Sequence, residues 1–287
     1  MLLAEIAATT DAVRAEPRRT AKIALLAACI VRLAACEITP GVAFLSGQLR
    51  QRQTGVGHAA LRDLPPAAAN PTLTIIEADN RLDAISREAG AGSRITRRGQ
   101  LDALFAAATP AEQRLLRGLL TGELRQGAET SLVADAVIRA AAVPEAAFRR
   151  AFMLSGDLGR VAAVAFDAGQ RGLEAVSLTV GQPILPMLAQ TAASVDDAVL
   201  PAAAEFKLDG ARIQVHRDGR DVRIYTRSLD DVTTRLGEVV DAVLALAVDN
   251  VVLDGEALVL RGIRSDAGVM ACRSSARSAA GRSISGS

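Results

Sequence analysis

Two different apolar rhythms divide this chain. Through the first 175 residues apolar positions return every three or four places, the spacing of one helix face, with short polar turns between the runs. The run opened by Pro17 sets Ile23, Leu26, Ile30 and Leu33 on one stripe. The stretch from Thr74 to Ala89 repeats the pattern through Ile75, Leu82 and Ile85. Thr109-Pro110-Ala111-Glu112 has the chemistry of a helix start: a hydroxyl to cap it, proline in the first turn and a carboxylate near the positive end of the dipole. Leu115, Leu116, Leu119 and Leu120 follow as the face to bury, and Thr121-Gly122 should end the helix. Gly127 punctuates the next turn. Further helices are expected over 131–142, ending before Pro144, and over 144–154.

From Val176 the rhythm changes. Pro183 and Pro186 rule out an uninterrupted helix, so this stretch predicts an extended linker. Beyond it the period becomes two. Ala211, Ile213 and Val215 alternate with Arg212, Gln214 and His216, and Asp218-Gly219 supplies a hairpin turn. The returning strand alternates Val222, Ile224 and Thr226 with Arg223, Tyr225 and Arg227. Val232, Leu236, Val239, Val240, Val243 and Leu246 predict an amphipathic helix. "NVVLDGEALVL" then returns to a strand, with Val252, Asp254, Glu256 and Leu258 on one face and Val251, Leu253 and Ala257 on the other. Two acids beside apolar neighbours are costly to bury without a ligand or metal. The expected architecture is multi-domain: an all-α domain over 1–175, a linker over 176–200, part of an α+β domain over 201–260 and a disordered tail over 261–287.

Composition narrows the function classes. Half of the residues are hydrophobic, with six Phe, one Tyr and no Trp, which suits close-packed helices and leaves few stacking platforms for single-stranded nucleic acid. A net charge of +1 announces no polyanionic partner, so nucleic-acid contact would rely on local arginine patches. The first residues lack a basic stretch ahead of an apolar one, as a signal peptide would need. The most apolar segment, Ala21 to Cys36, is interrupted by Lys22 and Arg32 and reads as a buried helix, so no membrane association is expected. Cys29 and Cys36 lie about 10 Å apart along such a helix, too far to bridge, and Cys272 stands alone. That cysteine usage suits a reducing compartment without a zinc site, so a cytoplasmic location is expected.

Lysine is the rarest charged residue. Lys22 and Lys207 are the only two among 33 cationic side chains. Arginine stays protonated in proteins, whereas lysine can lose its proton and act as an amine nucleophile. Position 207 is therefore either a nucleophile or a surface lysine kept by chance, and scarcity alone does not decide. The neighbourhood does more. Lys207, Asp209, Gly210 and Arg212 form K-x-D-G-x-R, a four-position pattern expected by chance in roughly one chain of this length in several hundred.

Lys207-Leu208-Asp209-Gly210-Ala211-Arg212 resembles motif I of the covalent nucleotidyltransferases, which comprise ATP-dependent DNA ligases, RNA ligases and mRNA capping enzymes. "IYTRSLDDVT" (224–233) and "VVLDGEALVL" (251–260) are similar to further motifs of that superfamily, in the same order. "LTGELRQGAE" (120–129) resembles a signature of the helical DNA-binding domain that precedes the adenylation domain in replicative-type ATP-dependent DNA ligases. "TGVGHAAL" (54–61) and "PILPMLAQ" (183–190) fit that layout. Taken alone, the first of these is equally a glycine-punctuated turn between helices.

The resemblance implies a mechanism. Lys207 would attack the α-phosphate of ATP, AMP would pass to the 5′-phosphate at a nick in duplex DNA, and the 3′-hydroxyl would seal the strand, with Mg²⁺ stabilising phosphate charge. An unperturbed lysine, pKa about 10.4, is neutral in only about one molecule in a thousand at pH ~7.5, so a nearby cation must favour the free amine. By the same resemblance, Glu205 would accept a hydrogen bond from the adenine amino group. Arg212 and Arg227 would contact ribose and phosphates, and Arg227 would then engage the nick. Glu256 would approach the ribose or hold the metal, and Asp209 would support the loop. Arg125 would touch DNA phosphate, helped by Arg97, Arg98, Arg114 and Arg117. His216 reads as an ordinary strand residue.

The family's later motifs and its OB domain are not legible after Leu260. Of the last 27 residues, 21 are Arg, Ser, Ala or Gly, a composition that cannot bury a core. The sequence-based expectation is a reading frame altered after the last motif and a truncated form defective in ligation. The alternatives are a non-catalytic DNA-binding fragment and an RNA-end nucleotidyltransferase.

Overall fold

The computed structural model describes residues 1–51, 54–90, 92–124, 130–187, 193–194 and 209–258. Lys207, Glu205, Arg125 and the tail over 261–287 lie outside them. Met1–Phe152 with Asp157–Ser177 forms one unit, and Met153–Gly156 with the chain from Leu178 forms the other.

The first unit is helical, as the three- and four-residue spacing requires. Its helices are α1 (Leu3–Ala15), α2 (Arg19–Ile30), α3 (Ile38–Leu45), α4 (Ile75–Arg87), α5 (Ser93–Ala106), α6 (Pro110–Thr121), α7 (Thr130–Ala141), α8 (Glu145–Ser155) and α9 (Leu158–Ala175). The ends follow local chemistry. Thr109 caps α6, and the Glu112 carboxylate accepts from both the Thr109 N–H and its hydroxyl at 2.7 Å, a reciprocal capping box. Gly122, at φ 69°, ends that helix in the left-handed conformation. Thr74 likewise caps α4 by accepting from the Glu77 N–H at 3.1 Å. The apolar stripes meet in one core built around Phe44, Phe105 and Phe148, each fully buried.

α3 packs on α9 so closely that only glycine fits at 159, where a Cβ would lie 2.5 Å from the Thr39 carbonyl oxygen. Gly159→Ala gains up to about 1 kcal/mol of helix propensity. It also drives a methyl into backbone that cannot swing aside, and overpacking of that kind costs about 1–3 kcal/mol. We expect net destabilisation, read as an earlier loss of helical circular dichroism on heating. A raised melting temperature would refute the close contact.

The second unit is a three-stranded antiparallel sheet with one helix: β1 (Ala211–Asp218), β2 (Asp221–Thr226), α10 (Gly237–Leu244) and β3 (Asn250–Ala257), in strand order β2-β1-β3. The hairpin turns through Gly219 and Arg220, with Gly219 at φ 58°. Ile213, Val215, Val222, Ile224 and Leu253 form one buried face, closed by Val239 and Val243 of α10. Arg217 lies at the end of that face, and its guanidinium donates to the carbonyls of Val243 and Leu246 at 2.8 and 2.9 Å, satisfying the helix C-terminus.

Two expectations need correction here. The amphipathic helix does not begin at Val232. The Val232 N–H donates to the Ile224 carbonyl at 2.8 Å and Thr233 Oγ1 accepts from the Ile224 N–H at 2.9 Å, so this stretch folds back alongside β2 before α10 starts. Leu246 lies beyond the helix and is 43 % exposed. The period-two alternation also predicts a polar second face on β1, yet Gln214 and His216 are buried there. The segment through Pro183 and Pro186 covers that face and belongs to the second unit.

Candidate nucleotide site

The central strand carries the site. β1 pairs with β3 in a register that sets Arg212 opposite Glu256 and Gln214 opposite Asp254. Ala211 and Arg212 of the first motif and Glu256 and Ala257 of the acid-containing motif, some forty residues apart in sequence, therefore share one end of the sheet. The Gly210 N–H donates to Glu256 Oε1 at 3.1 Å. A Cβ at Gly210 would lie 2.5 Å from the Ala257 carbonyl oxygen and 2.9 Å from Glu256 Cγ, so the glycine is dictated by the closeness of β3.

Arg212 forms a two-pronged pair with Asp254, Nε to Oδ1 at 3.0 Å and Nη2 to Oδ2 at 2.7 Å. That hydrogen-bonded pair raises the affinity of the guanidinium for its proton, against the opposing effect of partial burial. Asp254 and Glu256 thus have partners in Arg212 and the Gly210 N–H, and need no ligand to be accommodated. Sequence reasoning noted Asp254 only with Glu256, as two acids on one strand face that would need a ligand or metal, and missed its pairing with Arg212.

Arg227 follows Thr226, the partner of Ile213, so the register puts it at the same end of the sheet as Arg212 and Glu256. It is exposed in a turn fixed by hydrogen bonds from Ser228 Oγ to Asp230 at 2.6 Å and from the Asp230 N–H to Thr226 Oγ1 at 3.2 Å. Asp209 directly precedes Gly210 at the strand entrance and is exposed. Lys207 and Glu205 fall just upstream, outside the described residues. Among the described residues no three His, Cys, Asp or Glu side chains form a metal-binding group, and Glu256 is the one predicted metal contact.

The face of β1 turned away from α10, the one that carries Arg212, holds contacts that sequence reasoning missed. His216 accepts the Gly181 N–H at Nδ1 at 3.1 Å, and Tyr225 donates its hydroxyl to the Gly181 carbonyl at 2.7 Å. The two rings meet edge to face at 5.4 Å. Gln214 engages both backbone groups of Ile184, accepting its N–H at 3.0 Å and donating to its carbonyl. Arg212 Nη1 donates to the Met187 carbonyl at 3.0 Å. His216 is therefore no ordinary strand residue. Burial pushes its pKa down to about 4, and the role of Nδ1 as acceptor requires the neutral ring.

In the helical unit, two of the arginines expected to help bind phosphate serve internal carbonyls instead. Arg97 donates to Ile85 and Glu88 at the end of α4, and Arg98 to Ala60 and Asp63 while pairing with Asp102 at 2.9 Å. Arg114 is exposed and paired with Asp11 at 3.3 Å, and Arg117 is exposed. No helix among the described residues is long and apolar enough to cross a membrane.

Comparison with known proteins agrees with both halves of this architecture. Residues 62–138 match the DNA ligase N terminus family, and residues 186–280 match the ATP dependent DNA ligase domain. A protein named "Probable DNA ligase" from Mycolicibacterium paratuberculosis (strain ATCC BAA-968 / K-10) is 52% identical over 267 residues, covering 91% of this chain and 51% of its own length. A protein of the same name from Mycolicibacterium gilvum (strain PYR-GCK) is 52% identical over 265 residues, and one from Mycobacterium avium (strain 104) is 51% identical over 274. The chain spans about half the length of these curated relatives.

Proposed function

The chain belongs to the ATP-dependent DNA ligase family, and from that premise we propose that its second unit is a nucleotidyl-transfer site serving the sealing of nicks in duplex DNA. The observation that carries the reading is the β1–β3 register, which sets Gly210 and Arg212 beside Asp254 and Glu256. Lys207 precedes Gly210 by three residues in the sequence and is the nucleophile of this reading. Its Nζ forms a bond to the α-phosphorus of ATP, the bond to pyrophosphate breaks, and the amine proton leaves to solvent. A 5′-phosphate oxygen at the nick then displaces the lysine and takes the AMP. Attack by the 3′-hydroxyl joins the strands and releases AMP.

Each nearby group has a part in that sequence. Glu205 accepts from the adenine amino group. Arg212, held by Asp254, presents its remaining N–H donors to ribose or phosphate, and Arg227 reaches phosphate from the neighbouring turn. Arg125, with Arg114 and Arg117, contacts the DNA backbone without reading sequence. Glu256 is the carboxylate available to Mg²⁺, and an all-oxygen site of one or two carboxylates completed by phosphates and water is how that ion commonly binds. When bound, Mg²⁺ supplies charge neutralisation on the phosphates. The setting is the cytoplasm, in replication, repair or recombination.

Incubation of the chain with ATP and Mg²⁺ tests this by intact mass. A single AMP adduct, mapped to Lys207 and absent from Lys207→Ala, is the expected result. No adduct with retained binding to nicked duplex would instead favour a purely DNA-binding role. An adduct that transfers only to RNA ends would move the chain to RNA-end chemistry.

A further inference from the structure

We propose that Gln214 is a positioning residue for the nucleotide site, acting through the strap Gly181–Met187 to set the Arg212 guanidinium. The inference rests on the nucleotidyl-transfer reading of that site. Three side chains on one face of β1 hold the strap in order: His216 at Gly181, Gln214 at Ile184 and Arg212 at Met187. Strand residues two apart thus meet strap residues three apart, so each contact fixes a different stretch of the strap backbone.

Gln214 is the middle contact, and it is the tightest by design of its chemistry. A side-chain amide that pairs with both the N–H and the carbonyl of one residue stands in for a neighbouring strand. Gln214 itself is 8 % exposed, so water does not readily replace it. The far end of the strap has no such burial. Met187 is 75 % exposed, and among the described residues its carbonyl accepts from Arg212 Nη1. The same guanidinium carries the two-pronged Asp254 pair. Arg212 is therefore fixed from two sides, by β3 and by the strap. The Leu185 N–H also donates to the Met153 carbonyl at 2.9 Å, so loosening the strap at Ile184 leaves the stretch up to Met187 on that one backbone anchor and weakens the second hold on Arg212. A planar donor group misdirected in this way binds phosphate or ribose less well.

The full chain tests the proposal with two readouts. One is the Arg212 Nε–H resonance in ¹⁵N spectra, assigned through Arg212→Lys. The other is the rate of AMP-adduct formation against ATP concentration. In Gln214→Ala we expect Nε–H exchange with water to quicken and the apparent KM for ATP to rise, each about tenfold, with a smaller change in the limiting rate. The amides of β1 should keep their protection. Gln214→Glu keeps the acceptor for the Ile184 N–H and should fall between, which guards against a variant that merely fails to fold. An unchanged Arg212 resonance in both variants overturns the proposal. So does a freed Arg212 with an unchanged KM. If the unaltered chain forms no adduct, the nucleotidyl-transfer reading fails, and the Arg212 resonance alone then decides whether the strap positions this side chain.

Discussion

Gly210→Ala should be the most damaging single-methyl change in the second unit. The added Cβ would lie 2.5 Å from the Ala257 carbonyl oxygen and from Leu258 Cδ2, and 2.9 Å from Glu256 Cγ. A side-chain end can swing away, but the carbonyl is part of the β1–β3 ladder at the Ala211–Ala257 pair. Relief requires β1 and β3 to part at their shared end. That in turn lengthens the Gly210 N–H contact to Glu256 and pulls Arg212 from Asp254. Overpacking of this kind costs about 3 kcal/mol, a large fraction of what a unit with this small a core can hold in reserve. Any adenylyl transfer at the site should fall by well over about tenfold, since tenfold is only 1.36 kcal/mol of misalignment. The sole tyrosine is Tyr225 and there is no tryptophan, so intrinsic fluorescence reports this unit and not the helical one. A variant whose fluorescence unfolding curve in urea overlays that of the unaltered chain would count against the argument.

Acid should unlock the same unit through His216. The ring is 1 % exposed, its Nδ1 accepts the Gly181 N–H, and burial lowers its pKa from about 6.5 to about 4. Its ring neighbours are the Tyr225 edge and Gln214 Oε1 at 3.5 Å, neither of which offers a negative charge. Between those two pKa values the unfolded chain binds a proton that the folded chain refuses. Stability is therefore complete above pH ~6.5, declines as pH falls and levels off below ~4, with a loss of about 3 kcal/mol. Carboxylates add their own acid sensitivity, so the measurement is a difference. Urea midpoints followed by Tyr225 fluorescence at pH 7, 5.5 and 4 should converge between the unaltered chain and His216→Gln as the pH drops. Parallel curves would show that His216 titrates normally. The other histidine, His58, is exposed and lies outside this unit.

What could be read from the sequence followed the strength of local signals. Thr109-Pro110-Ala111-Glu112 announces α6 because the cap is made by residues three apart, and the structure forms it as such. Asp218-Gly219 announces the hairpin because a two-residue turn needs a positive φ that glycine supplies. Gly210 was legible as one position of K-x-D-G-x-R, though not as the point where the β3 backbone comes close. The strap was not legible. Its backbone is held by Arg212, Gln214, His216 and Tyr225 from 25 to 44 residues away, and an alternating polar residue looks the same whether water or a peptide group covers it. Arg97 and Arg98 misled for a related reason. A guanidinium that caps a helix end and one that awaits phosphate are identical in sequence, and only the carbonyls of Ile85, Glu88, Ala60 and Asp63 distinguish them.

The strand order β2-β1-β3 also has a consequence for the order of events in time. β1 and β2 join across two residues, Gly219 and Arg220, a closure completed in microseconds for an isolated hairpin. β3 must come back from beyond α10, with Asn250 meeting Asp218 and Ala257 meeting Ala211. Its closure entropy is greater and grows toward the end of the sheet that holds Gly210 and Arg212. The hairpin should therefore form first, and the Arg212–Asp254 pair should be among the last contacts made. Mutations at Asp254 would then speed unfolding while leaving the folding rate nearly untouched. The proposed nucleotide site is the youngest part of its own fold.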